Sequence, residues 1–215
     1  MDFYRKKAGD KVTLIMNAKP YKEVQEIERN KLRRELGLEG KLSFILIGSL
    51  EDKKFVHELI EASKVLTGVK IIIGGYGRYS KLVEEASKGN QNLAYIGYVH
   101  PDMVVPYTSA ADMVFSVYYP QQPMAVATKF FDAVSAGTPL LVNEGGDKTT
   151  DLVKKYNCGL AIPYDLKSFI KITEDLKKNP QKIQEMKKNI IALRKEYTWE
   201  VMAQRLLKLY DGLWQ

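Results

Sequence analysis

Short runs of consecutive apolar residues alternate along the chain with longer stretches in which apolar positions recur every three to four residues. Seven runs read as strands: residues 12–16, 42–47, 69–73, 93–96, 113–117, 139–142 and 160–162. Several are uninterrupted, with β-branched stretches such as Ile71-Ile72-Ile73, which suits strands covered on both faces, as in a parallel sheet. Between them, residues 24–36, 54–66, 80–87, 103–110, 128–136 and 149–156 carry the period of an amphipathic helix. Strands alternating with helices of this length imply right-handed βαβ units. The expected fold is α/β, a Rossmann-like doubly wound parallel sheet.

Punctuation supports this division. Gly137-Thr138-Pro139 closes one helix and opens the next strand, because Gly accepts a left-handed backbone at a helix end and Pro stops continuation. Asn157-Cys158-Gly159 repeats the signal after Tyr156. From Leu166 onward the pattern is almost purely helical, so extra C-terminal helices are expected. Pro180 opens one of them at its first turn, and Thr198-Trp199-Glu200 caps a last helix running to Leu213. Near the start, residues 11–17 read as a strand, followed by a turn at Asn17-Ala18-Lys19-Pro20, with little chain upstream for a domain of its own. The expected organisation is a joint with a first strand over 1–22, a Rossmann-like domain over 23–197 and a closing helix over 198–215.

Composition narrows the function classes. At 215 residues, 45% hydrophobic and 27% charged, the chain has the make-up of a soluble globular domain rather than a disordered or fibrous one. One cysteine and two histidines leave no internal disulfide and no zinc-ligand spacing, so no metal is expected. The net charge of +7 could serve nucleic acid, an anionic membrane surface or a phosphorylated substrate. Much of the lysine lies beyond residue 166, interleaved with Glu and Asp on helices. That is the pattern of a solvated helix face, and no nucleic-acid partner is expected. No apolar run approaches the ~18 residues of a membrane span, and the N-terminus has no apolar signal core. A cytoplasmic protein is expected, with peripheral contact to the inner face of a membrane left open.

In an open parallel sheet, ligands bind beyond the C-terminal ends of the strands, so candidate chemistry is sought in those loops. Gly48-Ser49 follows the 42–47 run, and Lys53 and Lys54 begin the next helix, where an anion is favoured; alone they also read as surface lysines. Gly74-Gly75-Tyr76-Gly77-Arg78 permits tight turns and presents amides. It departs from the dinucleotide fingerprint, with Ser80 in place of the third Gly. Gly97-Tyr98-Val99 could hydrogen-bond the edge of a base or be a plain turn. The loop 118–127 runs into a helix that begins Thr128-Lys129-Phe130-Phe131-Asp132. Lys129 and Asp132 share a helix face. They suit a phosphate with a neighbouring sugar hydroxyl, or an ordinary intrahelical ion pair. Glu144 and Asp147 are carboxylates at the same sheet edge that also read as an exposed acidic turn.

Taken together, the loop order resembles the C-terminal domain of the group 1, GT-B-fold, nucleotide-sugar-dependent retaining glycosyltransferases, over about residues 12–213. Gly48-Ser49-Leu50, Lys54-Phe55 and Leu59-Ile60-Glu61-Ala62 keep the register of the family's Gly-Arg-Leu, Lys-Gly and Leu-Ile-x-Ala. Gly75-Tyr76-Gly77 and Gly97-Tyr98-Val99 are similar to its next two turns. Asp132-Ala133-Val134-Ser135-Ala136-Gly137-Thr138-Pro139 is similar to its closing Glu-Ala-x-x-x-Gly-x-Pro. Three family positions differ in ways that bear on chemistry: Ser49 replaces an Arg, Met124 a Glu, and Asp132 the second Glu.

The resemblance implies one half of a GT-B fold that binds a nucleotide-diphosphate sugar, such as a UDP-, GDP- or ADP-sugar, as substrate. It implies no further cofactor. Gly48, Ser49, Lys54, Lys129, Ala125, Val126 and Ala127 would hold the diphosphate and Asp132 the ribose. Gly75, Gly77, Tyr98 and Val99 would hold the base. No catalytic residue is assigned, because the family's acid/base groups lie in an acceptor-binding half. That half is expected as an N-terminal domain or a separate subunit, without which the chain should not be active. One competing reading is a degenerate, non-catalytic scaffold subunit of a split glycosyltransferase. Others are a nicotinamide oxidoreductase, disfavoured by the missing fingerprint, and a sugar-nucleotide epimerase, disfavoured by length.

Overall fold

The structure is a computed structural model and describes residues 6–7, 9, 12–21, 23–51, 55–118, 126–145 and 148–212. Strands and helices alternate through most of the chain: α1 (Glu26–Glu35), β1 (Leu42–Ile47), α2 (Val56–Val65), β2 (Val69–Gly74), α3 (Ser80–Ser87), β3 (Leu93–Tyr95), α4 (Pro101–Ala110), β4 (Met113–Ser116), α5 (Thr128–Ala136), β5 (Leu140–Asn143), α6 (Lys148–Tyr156) and β6 (Gly159–Ile162). Four helices follow: α7 (Leu166–Lys178), α8 (Pro180–Ala192), the short α9 (Arg194–Tyr197) and α10 (Trp199–Asp211).

Among the described residues, six strands form one sheet in the order β3-β2-β1-β4-β5-β6, and every pair is parallel. This is the doubly wound order whose direction of winding reverses between β1 and β4, and a crevice opens beyond the strand ends at that reversal. The α/β, Rossmann-like expectation therefore holds.

Side-chain alternation along the strands divides the core in two. Phe44, Leu46, Ile71, Ile73, Met113 and Phe115 point to one face, where α2, α3 and α7 cover them. Ile45, Ile72, Val114, Leu140 and Val142 point to the other, under α1, α4, α5 and α6. Because both faces are covered, the strands read in sequence as continuous apolar runs rather than alternating ones. Phe169 of α7 meets Phe44 and Phe115 edge-on, with ring centroids 5.2 and 5.3 Å apart. Gly137 ends α5 at φ 73°, as the Gly-Thr-Pro signal predicts.

One expected element is absent. Residues 12–16 form no strand, and the nearest β-type pairing is an isolated parallel bridge between Lys19 and Thr198. Ile15 and Met16 are instead half-buried against the second core face, and the Met16 N–H meets the Met202 Sδ of α10 at 3.5 Å. A short apolar run can be buried by a helix as well as by a sheet, and periodicity over five residues does not distinguish the two. The closing helix forms as α10 through Asp211, and Leu213 lies outside the described residues.

Candidate functional site

A cleft of about 550 Å³ opens where the winding reverses, lined by the ends of β1, β2 and β4, the Tyr98–Val99 turn and the N-terminus of α5. Its floor exists because two backbones touch. Gly75 sits at φ 128°, and a Cβ there would collide with the Gly48 carbonyl. Gly48, at φ 143°, faces the Lys129 ammonium, which would lie 2.9 Å from a Cβ at that position. Larger residues at either site would fill the space between the strand exits and the helix. Hydrogen bonds lock the arrangement: Gly48 N–H donates to Gly74 O (3.0 Å), Gly75 N–H to Gly97 O (2.6 Å), and the Tyr95 hydroxyl to Gly75 O (2.8 Å).

The charged chemistry sits on α5. Ala127, its N-cap, offers no side-chain acceptor to the first amides. Such a terminus attracts an anion through exposed N–H groups and the helix dipole. One residue into the helix, Lys129 is only 8% exposed. Its ammonium has no hydrogen-bond or ion-pair acceptor among the described residues, only the Tyr118 ring 6.0 Å away. A turn deeper, Asp132 Oδ1 is buried without a hydrogen-bond donor. Lys19 Nζ stands 3.8 Å from it, an ion-pair distance too long for a hydrogen bond. Burial pushes the Asp132 carboxyl above its ordinary range, against the pull of Lys19 and Lys129. An unpaired buried ammonium and an unsatisfied buried carboxylate oxygen are each costly in a folded protein. Both line one cleft, so a ligand carrying anionic oxygens and hydroxyls would satisfy them together.

Most of the residues singled out from sequence converge here. Gly48, Ser49, Gly75, Tyr98, Val99, Val126, Ala127, Lys129 and Asp132 all line the cleft. Two residues are placed otherwise than expected, and one pairing is not formed. Gly77 lies outside the lining, where it packs on the Leu50 backbone, 2.7 Å from a Cβ built on it. The Ala127 amide already donates to Thr149 Oγ1 at 2.9 Å, so Ala127 offers the cleft its wall but not its N–H. The intrahelical pairing open to Lys129 and Asp132 is not formed at ion-pair distance, and Lys19 takes that place. Lys54 and Ala125 fall outside the described residues, as do Lys53, Met124 and Asp147.

The cleft also holds residues that were not assigned from sequence, among them Lys19, Tyr76 and Tyr118; Tyr76 joins Tyr98, which was assigned to the base. Tyr76 and Tyr98, each 65% exposed, stand at its mouth with ring centroids 6.0 Å apart. Two exposed aromatics at a cleft mouth offer a flat ring such as a base an apolar face. Tyr118 is the first residue of the 118–127 loop, and Lys19 lies in the turn over residues 17–20, far in sequence from the other lining residues. Among the described residues, no group of three or more His, Cys, Asp or Glu side chains could hold a metal. No described helix is long and apolar enough to cross a membrane.

Solved structures share this architecture. HepE of Anabaena, in complex with UDP and glucose, superposes with a TM-score of 0.74 at 19% identity, over 93% of this chain and 57% of its own. Sucrose-phosphate synthase from Thermosynechococcus elongatus gives a TM-score of 0.75 at 19% identity, over 99% of this chain and 56% of its own. A glycosyltransferase from Rickettsia africae gives 0.70 at 13% identity, over 96% of this chain and 58% of its own. The chain thus spans little more than half the length of these relatives. A search of curated protein sequences finds no match. The family model described as glycosyl transferase-like matches residues 53–208, well over half of the chain. The chain therefore belongs to the glycosyl transferase-like family and has the Rossmann-like fold of a GT-B C-terminal domain.

Proposed function

We propose that this chain binds the nucleotide-diphosphate sugar in a glycosyltransferase and passes the sugar on, with retention, once an acceptor-binding domain or subunit closes over the cleft. The observation that carries the reading is that one cleft at the mouth of α5 holds a buried Lys129 ammonium without an acceptor and an Asp132 Oδ1 without a hydrogen-bond donor among the described residues. The diphosphate would sit against Lys129 and the first amides of α5, and the ribose hydroxyls would donate to Asp132. The base would lie by Val99, against the exposed rings of Tyr98 and Tyr76. Lys54, which lies outside the described residues two positions before α2 in sequence, belongs to the diphosphate group on the same reading.

In the transfer, the bond between the anomeric carbon and the β-phosphate oxygen breaks, and the diphosphate leaves with the electron pair. An acceptor hydroxyl oxygen forms the new bond and releases its proton. The residues in hand act on the leaving group. Charge growing on the bridging oxygen is met by Lys129 in a partly water-excluded cleft, where such stabilisation is strongest. The reading assigns that work to lysines and a helix terminus, so donor binding should persist in excess chelator.

The relative that binds UDP and glucose makes a UDP-sugar the first donor to try. The test is calorimetric titration of the chain with UDP-, GDP- and ADP-sugars at low salt, with and without chelator. Saturable binding of one nucleotide class is the expected result. Flat heats from folded protein would overturn the reading and favour a scaffold subunit, which the uncharged Ser49 in the cleft wall would then explain.

A further inference from the structure

Lys19 is outside every motif in the sequence, yet its side chain forms part of the cleft wall. It is carried by a strap, residues 16–21, that crosses from α10 to α5. The strap is fastened at several points. Met16 N–H meets Met202 Sδ. The Trp199 N–H donates to Lys19 O at 2.9 Å, beside the Lys19–Thr198 bridge. The Tyr21 N–H donates to both Glu200 carboxylate oxygens at 3.0 and 3.1 Å. From the other side, the Ser135 hydroxyl of α5 donates to Pro20 O at 2.9 Å. The backbone of Lys19 is therefore fixed to both helices, while its side chain stays 42% exposed.

Charge in the cleft makes this position informative. Its described lining carries two ammonium groups, Lys19 and Lys129, and one carboxylate, Asp132. Among the described residues that is a net charge of +1 against the two or three negative charges of a nucleoside diphosphate, and Lys19 carries one of the two positive charges. Ser49 adds none. While Lys19 stays on Asp132, its charge cancels a carboxylate that ribose hydroxyls could occupy instead. Its 3.8 Å contact is the loose, non-hydrogen-bonded kind that a long lysine side chain exchanges readily.

We propose that Lys19 is a donor-binding residue, a further ammonium of the diphosphate subsite beside Lys129 and Lys54, held on Asp132 when the cleft is empty and turned to the phosphates when a nucleoside diphosphate enters. Asp132 is then released to the ribose. The subsite is shared between the Rossmann-like domain and the strap that precedes it, so its strength depends on α10 holding the strap in place. This inference rests on the donor-binding reading above and extends it to a residue supplied from outside the sheet's own loops.

The test titrates the full chain and its Lys19→Met, Lys19→Arg and Lys129→Met variants with UDP, GDP and ADP, using the matching nucleosides as charge-free controls. Lys19→Met should bind the preferred diphosphate about tenfold more weakly, the scale of one charge-assisted contact. Nucleoside binding should change less than about twofold, and Lys19→Arg should restore most of the diphosphate affinity, because arginine keeps the charge. Equal loss for diphosphate and nucleoside would overturn the proposal by making Lys19 a structural residue. Unchanged or tighter diphosphate binding by Lys19→Met, with Lys129→Met still weakened, would overturn it while leaving the donor reading intact. Absence of any nucleotide binding by the folded parent chain would remove both.

Discussion

The two ends of α5 carry similar charges put to opposite uses. At its C-terminus, Arg194 donates to Val134 O at 3.2 Å and Ser135 O at 2.9 Å. Nearby, at the C-terminus of α4, Arg29 donates to Ser109 O at 2.9 Å and Arg33 to Ala110 O at 2.6 Å. Arg33 also pairs with Asp112, and Lys187 stands 3.9 Å from the same carboxylate. These cations meet the carbonyls and the negative dipole ends of two helices, so each has acceptors within the protein. At the N-terminus of α5, Lys129 is buried more deeply than these cations, yet it faces the positive end of the dipole and has no acceptor among the described residues. Positive charge placed with its acceptors stabilises the fold. Positive charge placed where the fold itself disfavours it marks the surface that waits for an anion. Composition cannot separate the two, since both contribute equally to the net +7.

The sharpest way to break this comparison is to remove one cation of each kind, Lys129 at the N-terminus of α5 and Arg33 at the C-terminus of α4. Lys129→Met should weaken binding of the preferred nucleoside diphosphate about 100-fold, equivalent to about 3 kcal/mol, because it deletes a desolvated charge–charge contact. Its melting temperature should not fall, since an unpaired buried ammonium contributes no stability. Arg33→Met should do the reverse. It strips the hydrogen-bond donor from Ala110 O, Leu38 O and the Asp112 carboxylate. The expected cost is about 2 kcal/mol of stability, or ~4–8 °C in Tm for a chain of this size, with nucleotide affinity unchanged. Calorimetry and thermal unfolding on the two variants decide it. A Lys129→Met that melts low, or an Arg33→Met that loses nucleotide, would erase the distinction.

The sequence exposed one side of this contrast better than the other. Strand identity was legible because sheet faces covered on both sides leave long apolar runs, as in Ile71-Ile72-Ile73. The cleft's glycines and α5 residues were legible because loops at strand ends have fixed offsets from those runs. The residues 12–16 misled because a short apolar run looks alike under a helix and in a sheet. Lys19 was invisible because what brings it to Asp132 is the strap's attachment to Thr198, Trp199 and Glu200, contacts that span about 180 residues of sequence. No local pattern encodes such a pairing. The Arg33–Asp112–Ser43 cluster escaped for the same reason, with Asp112 accepting from the Ser43 N–H at 2.9 Å and hydroxyl at 2.7 Å across two strands.

The smallest expected effect sharpens the comparison most, because it asks whether the cleft is built at the expense of stability. Asp132 has a carboxyl raised above its ordinary range, with burial as the largest cause and Lys19 and Lys129 opposing it. A carboxyl whose folded pKa exceeds its unfolded value binds more protons in the folded state, so stability falls as pH rises through that window. The penalty is full above the folded pKa and vanishes as pH drops below the unfolded value near 3.9. Asp132→Asn keeps the shape and removes the charge. At pH 8 it should melt about 3 °C higher than the parent, near 1 kcal/mol, and the gain should shrink toward zero as pH approaches 4. Nucleotide affinity should fall over the same pH 7–8 range, because the amide is a poorer acceptor for ribose hydroxyls. A variant that melts lower at pH 8 would mean that Asp132 is held by Lys19 and Lys129 as a structural pair, which would place the N-terminus of α5 in the same class as its C-terminus.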